Sequence, residues 1–541
     1  MNLIDEAEIK KSNSDQGKMQ KKLILLFVFV AILIVLAVVL MLQINVMKNK
    51  KFKFYFDGTQ KADNDIFRKA DDGSLYTGKD LKGNTTYYIS VKDFANFFAE
   101  YTAHTGLPNS YIEHDYSNCY IENPYEKTTF TVGENKIVKY EGLNNNNIVE
   151  IVGSEKIYGQ GDNIYAPSDL VERAFNCKFV YTAENNTFNV YSLSYLVQAY
   201  GETYPLSAVN ASIDSSDPSY EEYQNQKAVA RGYLVIGDPT TQKLGVLNLE
   251  DSKATADFEG TNTITNTSNL EIGLKYSAIR FLEANEYFYV KTADNKVGII
   301  NNDGTSIVNP IYLSIDTLDS NTGTYVAQSD TGRFGVIDKN QRNIIPFDYD
   351  QIGITETYGD PNVKNKYLLL DYYIPVKNSD GYTFFSKSGA RLIANQSFKG
   401  VGCVNDSSQT GSGSRGVVVI PPLHSVVISY EEQITGIDGR PAAATFYGIV
   451  GDLYATDGNV SKMESIAGHF TQIYAREISG KTTYMATQEG TSVDVVEFIN
   501  NYYSQIQQGG QPQVQANIVE NNNENDENDE NGQQEATPSD E

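Results

Sequence analysis

The pattern of apolar and polar positions changes character three times along the chain. Residues 23–42, LILLFVFVAILIVLAVVLML, are twenty consecutive apolar residues without a charge. As a helix rising ~1.5 Å per residue they would cover ~30 Å, the thickness of a bilayer's hydrocarbon core. A buried core helix of a globular domain would show a polar stripe, and this run has none. The pattern predicts a single N-terminal transmembrane helix. The run is longer than the ~7–15-residue apolar stretch of a cleaved leader, and Gln43, Ile44, Asn45 and Val46 offer no small-residue cleavage site, so it reads as a signal anchor. Lys18, Lys21 and Lys22 precede it and Lys48, Lys50, Lys51 and Lys53 follow it, so flanking charge is nearly neutral. Long domains translocate largely regardless of charge, which puts residues 1–22 in the cytoplasm as a short tail and the body outside, in a single-pass cell-membrane topology.

From residue 53 to 195 strand-like and helix-like stretches alternate. Residues 87–91 lead into an amphipathic run, 92–101, with Phe94, Phe97 and Phe98 on one face. A strand at 128–132 ends in the turn Gly133-Glu134-Asn135. The same grammar then returns. Residues 164–167 enter a helix at 168–175 with Ser168 as N-cap and Leu170, Val171 and Ala174 apolar, followed by strands 178–181 and 187–191 around Glu184-Asn185-Asn186. The stretch IYAPSDLVERAFNCKFVYTAENNTFNVYSL resembles the copper amine oxidase N-terminal-like domain, a small α/β module of bacterial surface proteins. The resemblance implies a stalk or binding element and does not imply copper.

Beyond residue 225, and up to about 505, the chain repeats itself. YFYVKTADNKVGIINNDGTSIVNPIYLSI (287–315) and YVAQSDTGRFGVIDKNQRNIIPFDYDQI (325–352) share an order of strand, polar turn, apolar-Gly, strand, turn and Pro-containing strand. Gly298 and Gly335 are 37 residues apart and Pro310 and Pro346 are 36 apart. An earlier copy holds Leu244-Gly245 and a later one Tyr382-Thr383, with Thr in place of Gly. Weaker copies begin at Tyr447-Gly448 and Tyr484-Met485. A period of ~40 residues marks β units that cannot bury an apolar face alone, with the spacing of a propeller blade. Gly after the apolar residue marks a close backbone approach or a bulge. These units resemble WG repeats in which Trp is replaced, and the resemblance implies a binding or scaffold surface. The expected fold class is therefore mostly β: a transmembrane helix, a small α/β module, then a repeat-built β-propeller-like domain.

Composition agrees with a β-rich body: 38 Tyr, 24 Phe and no Trp. The formal charge is −26, and setting aside the nine carboxylates of the Gln/Asn/Glu-rich tail at 506–541 leaves about −17. That tail reads as disordered. A negative field of this size argues against a nucleic-acid partner. Three cysteines exclude a disulfide scaffold, with Cys119 and Cys177 either bridged or separately buried, and Cys403 alone.

Little in the sequence points to chemistry. His104, His114, His424 and His469 form no metal-binding spacing; the first two sit in loop-like sequence, and the latter pair could meet in space. The acidic turns 63–65 and 71–73 read as turns rather than calcium loops. The Gly/Ser-rich stretch 405–416, with Ser412 and Ser414, reads as a surface loop without a nearby base. No catalytic residue, metal ligand or cofactor is assigned, and ligand-contacting residues stay unnamed. The function expected is a membrane-anchored extracytoplasmic binding or scaffolding protein of the bacterial envelope. Its partners would be the lipid bilayer, through 23–42, and a wall polymer or envelope protein. Two alternatives stay open: an envelope enzyme such as a glycan hydrolase, or a sensor acting through a cytoplasmic partner.

Overall fold

The computed structural model of the chain describes residues 52–507 apart from 63–64, 103–109, 116, 142–146, 202–217, 251–256, 260–262, 267–269, 395, 405–409, 412, 437–438, 456–459 and 489. The expected fold class needs correction. Among the described residues no helix is long and apolar enough to cross a membrane. The longest described helices have 13 residues, about 20 Å at 1.5 Å per residue, short of the ~30 Å required. The architecture observed is mostly β, divided among many small sheets. The segment 23–42, the tail 1–22 and the acidic stretch from 508 onward lie outside the described residues.

The chain forms two compact units. The first comprises residues up to 140, 150–208 and 222–274. Its strand Lys53–Phe56 pairs in parallel with Thr187–Tyr191 and antiparallel with Thr59–Lys61. A second sheet runs Tyr158–Gln160, Asn163–Pro167, Thr85–Ser90, Thr77–Lys79. Helix α1 (Val91–Thr102) begins where the Ser90 hydroxyl accepts the Asp93 amide and donates to the Asp93 carboxylate, a reciprocal cap. Its buried residues Phe94, Phe97 and Phe98 fall at helical spacing and enter a core of rings. Phe94 meets Phe175 edge-on at 4.8 Å, and Phe67 meets Phe188 likewise at 5.1 Å. Edge-to-face pairs of this kind contribute about 0.5–1.5 kcal/mol beyond the area they bury.

Helix α2 (Ser168–Ala174) differs from expectation at its start. Pro167 is the cap residue, and Ser168 is already helical. The Ser168 hydroxyl instead lies 2.8 Å from the Thr86 hydroxyl and accepts the Tyr87 amide at 3.1 Å, tying the helix to the neighbouring strand. Cys119 and Cys177 are separate buried thiols, which settles that alternative against a bridge.

The second unit comprises 141–149, 209–221 and 275 onward. It contains consecutive antiparallel sheets. Ala278–Leu282, Tyr287–Lys291, Val297–Ile300 and Ser306–Tyr312 form one, and Ser314–Asp319, Thr324–Gln328, Phe334–Asp338 and Asn343–Tyr349 the next. A three-stranded sheet around Ile374–Asn378 and Gly381–Phe385 follows, then one around Ser425–Thr435 and Pro441–Gly451, then one around Gln472–Ile478 and Lys481–Gln488.

The two faces of a sheet serve different neighbours. In the second sheet Tyr325, Ala327 and Ile337 pack with Tyr289, Val297 and Ile299 of the sheet before. Alternating with them, Val326, Val336 and Ile345 pack with Ile374, Val376 and Phe385 of the sheet after. Successive side chains point to opposite faces, so a strand covered on both sides reads as a continuous apolar run. That is why Thr324–Ala327 are all buried.

The repeated glycines have one geometric cause. A Cβ on Gly298 would lie 2.6 Å from both the Pro310 nitrogen and the Val308 carbonyl oxygen, and one on Gly335 would lie 2.9 Å from the Ile345 carbonyl oxygen and the Phe347 ring. Each faces a register shift in the pairing with the following strand, so the bulge of that strand fills the space. Gly448 faces the same kind of shift beside Ala467. Replacing Gly298 or Gly335 by Ala is expected to destabilise by about 1–3 kcal/mol, since backbone must move. Urea unfolding followed by tyrosine fluorescence measures it, and an unchanged midpoint would contradict the bulge explanation.

Candidate functional site

The strand pattern that buries Phe130 also buries a charge. In Glu126–Thr131 the inward positions are Glu126, Thr128 and Phe130. In Lys136–Glu141 they include Ile137 and Lys139. Residues 222–230 of helix α4, which spans Pro218–Ala230, bring Tyr223 and Lys227, four residues apart and so on one face, to the same place. Asn176, held at a positive φ of 52° just beyond α2, supplies an amide. All five side chains are at most 4% exposed.

Glu126 is the hub of this cluster. Its Oε2 receives Lys227 Nζ at 3.1 Å, while Oε1 lies 3.3 Å from Lys139 Nζ and accepts the Tyr223 hydroxyl at 3.0 Å. Asn176 Nδ2 donates to Glu126 and, at 2.7 Å, to the Tyr223 oxygen. Lys139 also donates to Asn176 Oδ1 at 2.8 Å and to the Arg173 carbonyl at 2.9 Å. Asn123 donates to Tyr223 at 3.1 Å. Burial, with the Glu126 charge beside it, pushes the Tyr223 hydroxyl well above its ordinary pKa, so it stays protonated and donates. Buried charges are tolerated only when paired and hydrogen-bonded, as these are. Such a saturated cluster acts as a lock that fixes strands and helix in one register.

A recess of about 70 Å³ lies over this lock. Phe98 and Phe175 supply apolar wall, and Asn123, Asn176 and Tyr223 reach it from the network. Ser192 lines it as well, and caps helix α3 (Leu193–Gly201) by accepting the Tyr195 amide. Ser192 is in turn held through its amide and hydroxyl by the Asp57 carboxylate, both at 2.7 Å.

The sequence-derived candidates disperse. His104 and Asp63-Asn64 lie outside the described residues. His114 is on strand Ser110–Asp115 and not in a loop, because the segment pairs with Asn118–Asn123. His424 and His469 keep separate company: His424 Nδ1 is 3.1 Å from the Tyr372 hydroxyl, whereas the His469 ring stacks on Phe446 at 4.3 Å. Asp72 is a turn carboxylate; the Ser74 hydroxyl and amide hold its pKa below the usual value. Cys403 is a buried thiol. Ser412 lies outside the described residues, while Ser414 opens strand Ser414–Gly416, paired with Gln472–Ile478, so that end of the expected loop is sheet. Sequence reasoning missed Glu126, Lys139 and Lys227. The signal was available in the period-2 placement of Lys139 on the same face as Ile137.

At one pair of surface positions the repeat sheets differ in polarity. Val297 pairs with Tyr312 in one sheet, and Phe334 pairs with Tyr349 at the same place in the next. The residues flanking that tyrosine are Ile311 and Leu313 in the first sheet, 55% and 41% exposed, and Asp348 and Asp350 in the second, also exposed.

No protein-family model matches the chain, and no curated protein matches it. Among solved structures, the chain is similar to the WD40 β-propeller domain of Doa1, at 7% identity and a TM-score of 0.17, over 67% of this chain and 86% of that one. A likeness at that score carries no argument about fold or function.

Removing the hub of the lock tests its role. Glu126→Ala leaves Lys139 and Lys227 without the carboxylate they share and is expected to cost about 3–5 kcal/mol of stability. Thermal unfolding by circular dichroism measures it, and a loss below about 1 kcal/mol would show that the lock is not structural.

Proposed function

We propose that this chain is a binding or scaffolding protein of the bacterial cell envelope, whose body holds its sheets in a propeller-like succession and presents their outer edges to a wall polymer or protein partner. The observation that carries the reading is the exposed pair Ile311 and Leu313. The equivalent positions in the adjacent repeat are aspartates, so the sheet does not need apolar side chains there in order to fold. Two neighbouring exposed apolar side chains at a place where the fold accepts charge support a contact surface there. Attachment at the membrane, with the body outside the cytoplasm, rests on the apolar run 23–42 and its flanks alone. The proposed activity is retention of a partner, not turnover of one.

The double substitution Ile311→Asp and Leu313→Asp copies the next repeat. It is expected to leave the unfolding midpoint unchanged while lowering retention of the body on envelope fractions by at least about tenfold, the equivalent of losing ~1.4 kcal/mol of contact. Retention equal to the parent, or release of product from those fractions by the protein, would overturn the proposal.

A further inference from the structure

In the first unit, Arg68 lies between two tyrosine rings. Its guanidinium carbon is 4.1 Å from the centroid of Tyr76 and 4.0 Å from that of Tyr158. The backbone fixes it from both sides, since the Arg68 amide donates to the Tyr88 carbonyl at 2.9 Å and the Arg68 carbonyl accepts the Tyr76 amide at 2.8 Å. Tyr158 and Gln160 are two residues apart on strand Tyr158–Gln160 and so share a face. Gln160 uses that position to accept Arg68 Nε at 3.1 Å. Tyr76 is braced in turn by Tyr88, edge-on at 5.3 Å.

Three of the guanidinium's attachments are therefore internal, and its outer edge is not used. Among the described residues Arg68 forms no ion pair with a carboxylate, and its two Nη groups make no hydrogen bond. Neither the Tyr76 nor the Tyr158 hydroxyl has a partner there, and both rings remain more than 40% exposed. In a chain with 69 acidic residues, a guanidinium fixed in place yet facing no acid is a prepared donor fork. Stacking and the Gln160 bond have already removed its rotamer freedom, so a ligand that accepts the fork loses little further entropy.

The geometry points to a docking site for a carboxylate-bearing sugar unit of an acidic polysaccharide, with the Arg68 Nη pair gripping the carboxylate and the phenols of Tyr76 and Tyr158 flanking the ring. A single planar fork matches a planar monoanion. A phosphate monoester carries up to two charges and three acceptor oxygens, more than one planar fork can satisfy. With their inner faces stacked on the guanidinium, the phenols leave exposed ring edges and hydroxyls on either side of the fork, and the hydroxyls can pair with those of a pyranose. This site deepens the envelope-binding reading by naming a ligand class, yet it uses none of the residues on which that reading stands.

The test is calorimetric titration of the purified full chain at low salt with tetragalacturonate, with the carboxyl-reduced tetramer and inorganic phosphate as comparisons. Tetragalacturonate is expected to bind, and the reduced tetramer and phosphate are not. Arg68→Lys keeps the charge and loses the fork, and it should weaken binding at least about tenfold while the circular-dichroism spectrum of the folded protein is retained. The Ile311→Asp, Leu313→Asp double variant should bind tetragalacturonate as the parent does, which separates failure of this site from failure of the repeat surface. Absence of binding by the parent, equal binding by Arg68→Lys, or binding of phosphate as tight as that of the tetramer would each overturn the assignment.

Discussion

A β-sheet with apolar side chains on both faces cannot stand in water alone, and the second unit of this protein is made of such sheets. Val326 and Ala327, adjacent in one strand, belong to different apolar clusters, each shared with a different neighbouring sheet. The same division recurs at Phe384 and Phe385, and at Val426 and Val427. Every sheet is thus stabilised by the next one along the chain, and the strands are short because each contributes only a few residues to each face. The glycines follow from this arrangement: pulling a bulged strand over Gly298 or Gly335 leaves no room for a Cβ.

The first unit solves the burial problem by other means. A cluster of phenylalanine and tyrosine rings fills the space between its sheets and helices. Beside that cluster, one carboxylate holds two lysines and a tyrosine in a buried network. Apolar packing tolerates many arrangements, whereas a network of ions and amides is satisfied in few, so it fixes strand Glu126–Thr131 and helix α4 in one register. The exposed apolar pair Ile311 and Leu313 lies on a sheet of the second unit, and the stacked Arg68 guanidinium lies in the first.

The repeat sheets were legible because strand, turn and glycine recur at a constant spacing, and Gly298 and Gly335 do occupy equivalent places, whereas Pro310 and Pro346 do not: the sheets match at an offset of 37, which sets Phe347 where Pro310 stands. Helix α1 was legible from Phe94, Phe97 and Phe98. Ser168 was misread because its hydroxyl bonds across to Thr86 and Tyr87, a tertiary contact that no local rule contains. His114 was misread because a polar strand at a sheet edge has no apolar alternation to announce it. The Glu126 network and the Arg68 stack were invisible for a related reason. Their members come from segments up to about 100 residues apart, and only the fold brings them together.

Native-state hydrogen exchange bears most directly on the claim that adjacent sheets stabilise one another. The amides of Tyr289 and Ile299 in one sheet and of Tyr325 and Ile337 in the next share an apolar cluster. If neither sheet stands alone, these amides open together with a single free energy and the same dependence on denaturant. Exchange of the 287–300 strands at a distinctly lower free energy than the 324–338 strands would show that the sheets are independent, and would contradict the account.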